Sequence, residues 1–131
     1  MGTTSTLPNP ITRTADDNLY TTERSTSSDT LGFGYAFPVT NGSYTVRLHL
    51  AEVWFVGGTG RGPTGTGRRI FDVQIEGATV IDSLDLNATV GALAAEAREF
   101  TVTVSDGTLN IDFPPANVNR PTLAAIEIVR N

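Results

Sequence analysis

The sequence predicts a single all-β domain folded as an antiparallel β-sandwich, and three observations carry the prediction. Short runs alternate strictly between apolar and polar residues, as where Tyr44, Val46, Leu48 and Leu50 interleave with Thr45, Arg47, His49 and Ala51. That period of two belongs to a half-buried strand. Turn residues punctuate the runs at Asn41-Gly42, Gly77 and Asp106-Gly107, the spacing expected of a sandwich. The chain of 131 residues, 39% apolar and 18% charged, is long enough to bury one core unaided.

The elements follow in order. Residues 1–17 are rich in Thr, and Pro8 and Pro10 disfavour helix, so this stretch reads as an extended arm ahead of a domain over 18–131. The run "GFGYAFPV" (32–39) leads through Asn41-Gly42 into "SYTVRLHLAEVWF" (43–55), which predicts a hairpin. "RRIFDVQIEG" (68–77) places Phe71, Val73 and Ile75 on one face and stops at Gly77; "ATVIDSLDL" (78–86) is a short strand and turn. "GALAAEAR" (91–98) has strong helix formers but no apolar stripe, and reads as a loop with room for one helical turn. "EFTVTVSDGTLNIDF" (99–113) is the clearest predicted hairpin. "TLAAIEIVRN" (122–131) supplies a last strand, its alternation slipping near Ala124. The chain has no internal repeat, linker or second domain.

Composition removes several functions. A net charge of −5 opposes nucleic acid. No apolar run approaches the roughly 18 residues of a membrane span, so membrane insertion is not expected. Zero cysteines remove disulfides, thiolate chemistry and zinc clusters, and a single His49 leaves no multi-histidine metal site. No cofactor or metal is predicted. "GRGPTG" (60–65) satisfies G-x-G-x-x-G, but a strand beginning near Arg69 follows where dinucleotide binding needs a helix. Thr66 stands where a phosphate loop needs lysine. The sequons at Asn41 and Asn87 mark exposed turns, and Asp16-Asp17-Asn18 lacks the spacing of a calcium loop.

Two features remain. Glu52 shares the parity of Leu48 and Leu50, so it is a buried polar position or marks a bulge; with Asp72 on the next strand it could form a glycosidic acid/base pair. The competing reading, favoured because buried charges are paired, has Glu52 accepting hydrogen bonds from an arginine or from backbone N–H groups. The second feature is Trp54-Phe55, adjacent aromatics that cannot both enter one core. One ring continues the core face and the other lies on a rim beside a glycine-rich loop. An exposed ring suits the C–H face of a sugar, unless the loop folds back and covers it.

Five ordered blocks, "LYTTER" (19–24), "YTVRLHLAEVWF" (44–55), "RRIFDVQIEG", "VTVSDGTLNIDF" (102–113) and "AAIEI" (124–128), resemble the malectin domain over nearly the whole chain from about Thr14. The resemblance implies a jelly-roll-like β-sandwich that binds carbohydrate without catalysis, using aromatics and an aspartate on loops at one end. Transferred by position, the adjacent aromatic pair of the family's endoplasmic-reticulum lectin falls on Trp54 and Phe55. The aromatic after the T-E-R block becomes Ser25, with Tyr20 or Tyr35 as neighbours able to replace it. The aspartate becomes Asn119, or Asn117 if the loop shifts, and the insert Gly57–Gly67 is longer than the lectin's connection. Family domains usually begin with further strands, whereas eighteen residues precede Leu19 here.

The expected function is a non-catalytic carbohydrate-binding module for a glucan or related glycan, in a secreted or surface-attached bacterial protein. Trp54 or Phe55 stacks on a sugar while Tyr20, Glu23, Arg24, Arg68 and Asn119 orient its hydroxyls; a salt-bridged turn would account for Glu23 and Arg24 equally well. The competing expectation is a structural subunit of a fibre or surface assembly. Its copies would self-associate by strand exchange through the Met1–Asp17 arm or an open sheet edge.

Overall fold

A computed structural model of the chain describes residues 2–4, 22–57 and 62–131, with residues 2–4, 22 and 23 described as backbone only. Among them lie nine strands: β1 (Gly2–Thr4), β2 (Thr22–Arg24), β3 (Phe33–Pro38), β4 (Gly42–Leu50), β5 (Phe71–Ile75), β6 (Ala78–Leu84), β7 (Glu96–Val104), β8 (Thr108–Phe113) and β9 (Ala125–Arg130). One helical turn, α1 (Leu86–Thr89), follows β6. The strands form a four-stranded sheet ordered β3-β8-β5-β6, a three-stranded sheet ordered β7-β4-β9 and the pair β1-β2. Every pairing is antiparallel. The architecture is the predicted all-β sandwich.

Alternation builds the core between the two larger sheets. Tyr44, Val46 and Leu48 of β4 lie opposite Val102, Phe100 and Arg98 of β7, and opposite Arg130, Ile128 and Ile126 of β9. Facing them, Phe71, Val73 and Ile75 of β5 and Leu109, Ile111 and Phe113 of β8 are buried, with Phe33, Tyr35 and Phe37 of β3 packed at their edge. The other face of the three-stranded sheet carries the cross-strand ion pair Arg47–Glu99 at 3.0 Å and the hydrogen-bonded contact His49–Glu127 at 2.8 Å.

Both predicted hairpins are corrected. Asn41-Gly42 joins β3 to β4, and Asp106-Gly107 joins β7 to β8, yet in each case the two strands belong to different sheets. Apolar alternation and a tight polar turn are the same whether the chain folds back in one sheet or crosses to the other. The two crossings sit together at one end of the sandwich, because Gly42 faces Val104 and Pro38 faces Thr108. Asn41 stitches them: its Nδ2 donates to the Ser105 carbonyl at 3.1 Å and its Oδ1 accepts from the Gly107 N–H at 2.7 Å. The tight hairpin is instead β5-β6, where Ile75 faces Ala78 across Glu76 and Gly77, both at positive φ (52° and 79°).

Two further expectations change. The strand through Trp54 and Phe55 stops at Leu50, leaving both aromatics in a loop. In 91–98, Glu96–Arg98 belong to β7, and the helical turn lies earlier, at Leu86–Thr89, capped by the Asp85 side chain. Leu93 instead joins Ala51, Val53 and Ala95 in a small second core beneath the Trp54 loop. Most of the Met1–Asp17 arm lies outside the described residues. Its Gly2–Thr4 strand pairs with Thr22–Arg24 of the same chain.

Asn41→Ala removes both stitches between the crossings, so unfolding free energy in urea should fall by about 1–2 kcal/mol with an unchanged m-value. No loss of stability would mean that the crossings are held by their turns alone.

Candidate functional site

The end of the sandwich opposite the crossings is built from loops, and one carboxylate organises them. Glu52, just past β4, is 1% exposed and accepts four hydrogen bonds. Two come from the backbone N–H groups of Trp54 and Phe55, each at 3.1 Å to Oε2. Two come from Arg69, Nε to Oε1 at 2.8 Å and Nη2 to Oε2 at 3.2 Å. Of the two sequence readings of Glu52, hydrogen bonding to an arginine and to backbone is the one observed. Asp72 has a separate task, its Oδ1 accepting the Ser83 N–H at 2.7 Å.

The capped turn sends the two aromatics opposite ways. Phe55 is buried at 7% exposure, its ring centroid 5.4 Å from the Arg69 guanidinium carbon. Trp54 is 44% exposed. The glycine-rich loop returns at Gly62, whose N–H donates to the Trp54 carbonyl at 3.0 Å. A Cβ on Gly62 would stand 2.8 Å from both Trp54 Nε1 and Phe55 Cδ1. The loop therefore seats against the edges of both rings while much of the indole stays open. Farther on, the Gly67 N–H is held by the Asp85 carboxylate.

Arg69 carries the organisation to a second loop, since Nη1 donates to the Arg120 carbonyl at 2.6 Å. Arg120 carries it to a third: Nε donates to Asp29 Oδ1 at 2.8 Å and Nη1 to the Thr26 carbonyl at 3.0 Å. Ser25 Oγ closes the ring of contacts on the Pro121 carbonyl at 2.9 Å. Between these loops lies a pocket of about 390 Å³, lined by Ser25, Thr26, Asp29, Trp54, Arg69, Asn119 and Arg120. Each arginine in its wall is matched by a carboxylate, Arg69 by Glu52 and Arg120 by Asp29. The pocket offers polar groups around an aromatic face with its formal charges cancelled.

The structure brings Trp54 and Asn119 together. Asn119 sits at φ 63°, a left-handed conformation that asparagine tolerates better than most residues. Phe55 lies beneath the pocket as support. Arg68 is exposed on the turn before β5, and the pocket is lined by its neighbour Arg69. Arg24 lines a separate, adjoining cavity. Tyr35 is on β3, stacked 5.7 Å from Phe37, away from Trp54. Asn117 is exposed. Tyr20 and the Glu23 side chain lie outside the described residues. Thr26, Asp29, Arg69 and Arg120 join the site without having been anticipated. Of these, Arg69 alone left a signal, sharing the parity of Phe71 and Val73 and thus a core-facing position.

A model of the malectin domain family matches residues 2–126. The chain belongs to the malectin domain family. It is 31% identical to Malectin-A of Xenopus laevis over 78% of its own length and 34% of that protein. To a probable LRR receptor-like serine/threonine-protein kinase of Arabidopsis thaliana it is 33% identical, over 82% of its own length and 10% of the kinase. The chain thus spans about a third or less of these relatives. Among solved structures, the ANXUR1 extracellular domain from Arabidopsis thaliana superposes with a TM-score of 0.78 at 15% identity, covering 98% of this chain and 37% of that one. A Bacteroides uniformis β-glucuronidase does so with 0.78 at 22% identity, covering 99% of this chain and 14% of the enzyme. At such identities the superpositions speak of fold alone. Among the described residues of this malectin domain, no helix is long and apolar enough to cross a membrane.

Glu52→Gln should lower unfolding free energy by about 3–5 kcal/mol, since Arg69 is left buried without its counter-charge. Replacing both residues, Glu52→Leu with Arg69→Met, should recover only part of that loss in denaturant titrations. The Trp54 and Phe55 N–H groups and the Arg120 carbonyl remain unpartnered. Gly62→Ala should cost about 1–3 kcal/mol through the close approach to Phe55, and it should shift the Trp54 emission maximum as the indole is pushed aside.

Proposed function

We propose that this malectin domain is a non-catalytic carbohydrate-binding module that holds a glucan or related glycan in the pocket beside Trp54, in a protein that works outside the cell or at its surface. The observation that carries the reading is a 44% exposed indole on the rim of a pocket whose charged side chains are already paired with one another. A hexose presents an apolar C–H face and a ring of neutral hydroxyls. The first matches an aromatic surface, and the second matches hydrogen-bonding groups that carry no net charge.

The roles divide by chemistry. Trp54 stacks on the ring. The Asn119 amide, which has no hydrogen-bond partner among the described residues, offers a donor and an acceptor to vicinal hydroxyls. Asp29 and Thr26 line the same pocket and offer further polar groups to the ligand. Phe55, Arg69 and Glu52 position Trp54 without touching the sugar. Glu52 is poorly suited to acid/base work, because its charge is neutralised by Arg69 and both oxygens are engaged. Family membership supports the same reading, through the carbohydrate binding that the resemblance to the lectin implies.

Trp54 is the single tryptophan, so its emission reports directly on the pocket. Titration with α- and β-linked glucose disaccharides and longer glucans should give a saturable emission change for at least one of them. Calorimetry on Trp54→Ala should find affinity for that sugar reduced by about 30-fold or more, ~2 kcal/mol. A folded protein with no response to any of these sugars would defeat the proposal.

A further inference from the structure

We infer that the malectin domain carries a second subsite, centred on Arg24 and adjoining the Trp54 pocket, that binds a carboxylate, so that its preferred ligand is an acidic glycan with a uronate beside the neutral ring. The inference rests on the carbohydrate reading above and names the class of glycan.

A cavity of about 410 Å³ opens between β2 and the start of β3, lined by Arg24, Leu31 and Phe33. Ser25 and Thr26 line it too, and they also line the Trp54 pocket, so the two spaces share a wall. One oligosaccharide can occupy both. Their electrostatics differ. The arginines of the first pocket are ion-paired, whereas the described lining of the second contains Arg24 and no carboxylate.

Arg24 is held in place without its charge being matched. Its backbone N–H donates to the Leu123 carbonyl at 2.6 Å, and its carbonyl accepts from the Leu123 N–H at 3.0 Å. Its guanidinium carbon lies 5.1 Å from the Phe33 ring centroid and 5.6 Å from that of Tyr35. Phe33 is in turn stacked on Phe113 at 4.5 Å, which fixes the platform. Stacking of this kind uses the face of a guanidinium and leaves its N–H donors, which point in plane, for another group.

Among the described residues none of those donors finds a partner, and Nε is buried without one. Arg47, Arg69, Arg98 and Arg120 are ion-paired, and the other two described arginines without a carboxylate, Arg68 and Arg130, are exposed to water, so a half-buried guanidinium with an unpartnered Nε sets Arg24 apart. A carboxylate is the acceptor that matches a guanidinium in charge and in planar geometry. Leu31, 48% exposed, supplies an apolar contact for the ring that bears it. The chain's net charge of −5 repels anions at long range, so a preference for an acidic sugar must arise locally.

The test compares α- and β-linked glucose disaccharides with the same disaccharides oxidised at C6 of one ring to the uronate, by calorimetry on the wild type, Arg24→Gln and Arg24→Lys. The wild type should bind a uronate form about tenfold more tightly than its neutral counterpart. Arg24→Gln should abolish that preference, so that uronate and neutral forms bind alike, and Arg24→Lys should keep part of it. Equal wild-type affinities, or a preference that survives in Arg24→Gln, would overturn the subsite and leave the carbohydrate reading standing. Absence of binding to every neutral and acidic form would overturn both. The wild-type comparison decides even where a variant fails to fold.

Discussion

The buried ion pair between Glu52 and Arg69 is the constraint on which the loop end of the molecule depends. Removing two charges from water costs several kcal/mol each, and the loss is offset only when every donor and acceptor is used. Here Glu52 takes two N–H groups from its own turn and two from Arg69, while Arg69 spends its remaining Nη on the Arg120 carbonyl. Satisfying the pair therefore fixes three segments at once: the Trp54 turn, the entry to β5 and the loop before β9. Its value lies in specificity of shape: packed apolar residues could fill the same volume, but they would leave the Trp54 and Phe55 N–H groups and the Arg120 carbonyl without partners.

The two ends of the sandwich solve different problems. At one end the chain crosses twice between sheets through short turns, and Asn41 ties the crossings together. At the other, longer connections must be ordered without a sheet to hold them, and a relay of side chains does it. Glu52 positions Arg69, Arg69 holds the Arg120 carbonyl, and the Arg120 guanidinium holds Asp29 and Thr26. The relay is polar because loop backbone must be satisfied by something, and it leaves a cavity because polar contacts at fixed distances do not collapse as apolar packing does.

Parity made much of this legible in the sequence. The core faces of β4, β5 and β8 follow from alternation alone, and Glu52 stood out as a charge on a core-facing position. The same rule applied to Arg69, which shares the parity of Phe71, would have supplied the partner. Which strands pair was not legible. Asn41-Gly42 and Asp106-Gly107 carry hairpin chemistry, yet sheet membership depends on contacts far apart in sequence. The Asp29–Arg120 contact was hidden for the same reason, because an exposed and a half-buried loop residue 91 positions apart leave no local trace. Leu93 escaped notice because it enters a small core from a left-handed position, φ 55°, where periodicity has no meaning.

Departures from the family's lectin acquire a physical sense when set on this frame. The aromatic expected after the T-E-R block is Ser25, and a small residue there lets the wall between the Trp54 pocket and the Arg24 cavity thin to Ser25 and Thr26. The expected aspartate is Asn119, which keeps hydrogen-bonding capacity in a wall where Asp29 already balances Arg120. A second carboxylate at that position would add an unmatched negative charge beside the cavity that Arg24 leaves positive. Loss of one aromatic and loss of one charge thus act in the same direction. On the proposal made for Arg24, both changes open the site toward that residue and favour an anion, while Trp54 and the relay that positions it offer the surface proposed for a neutral ring.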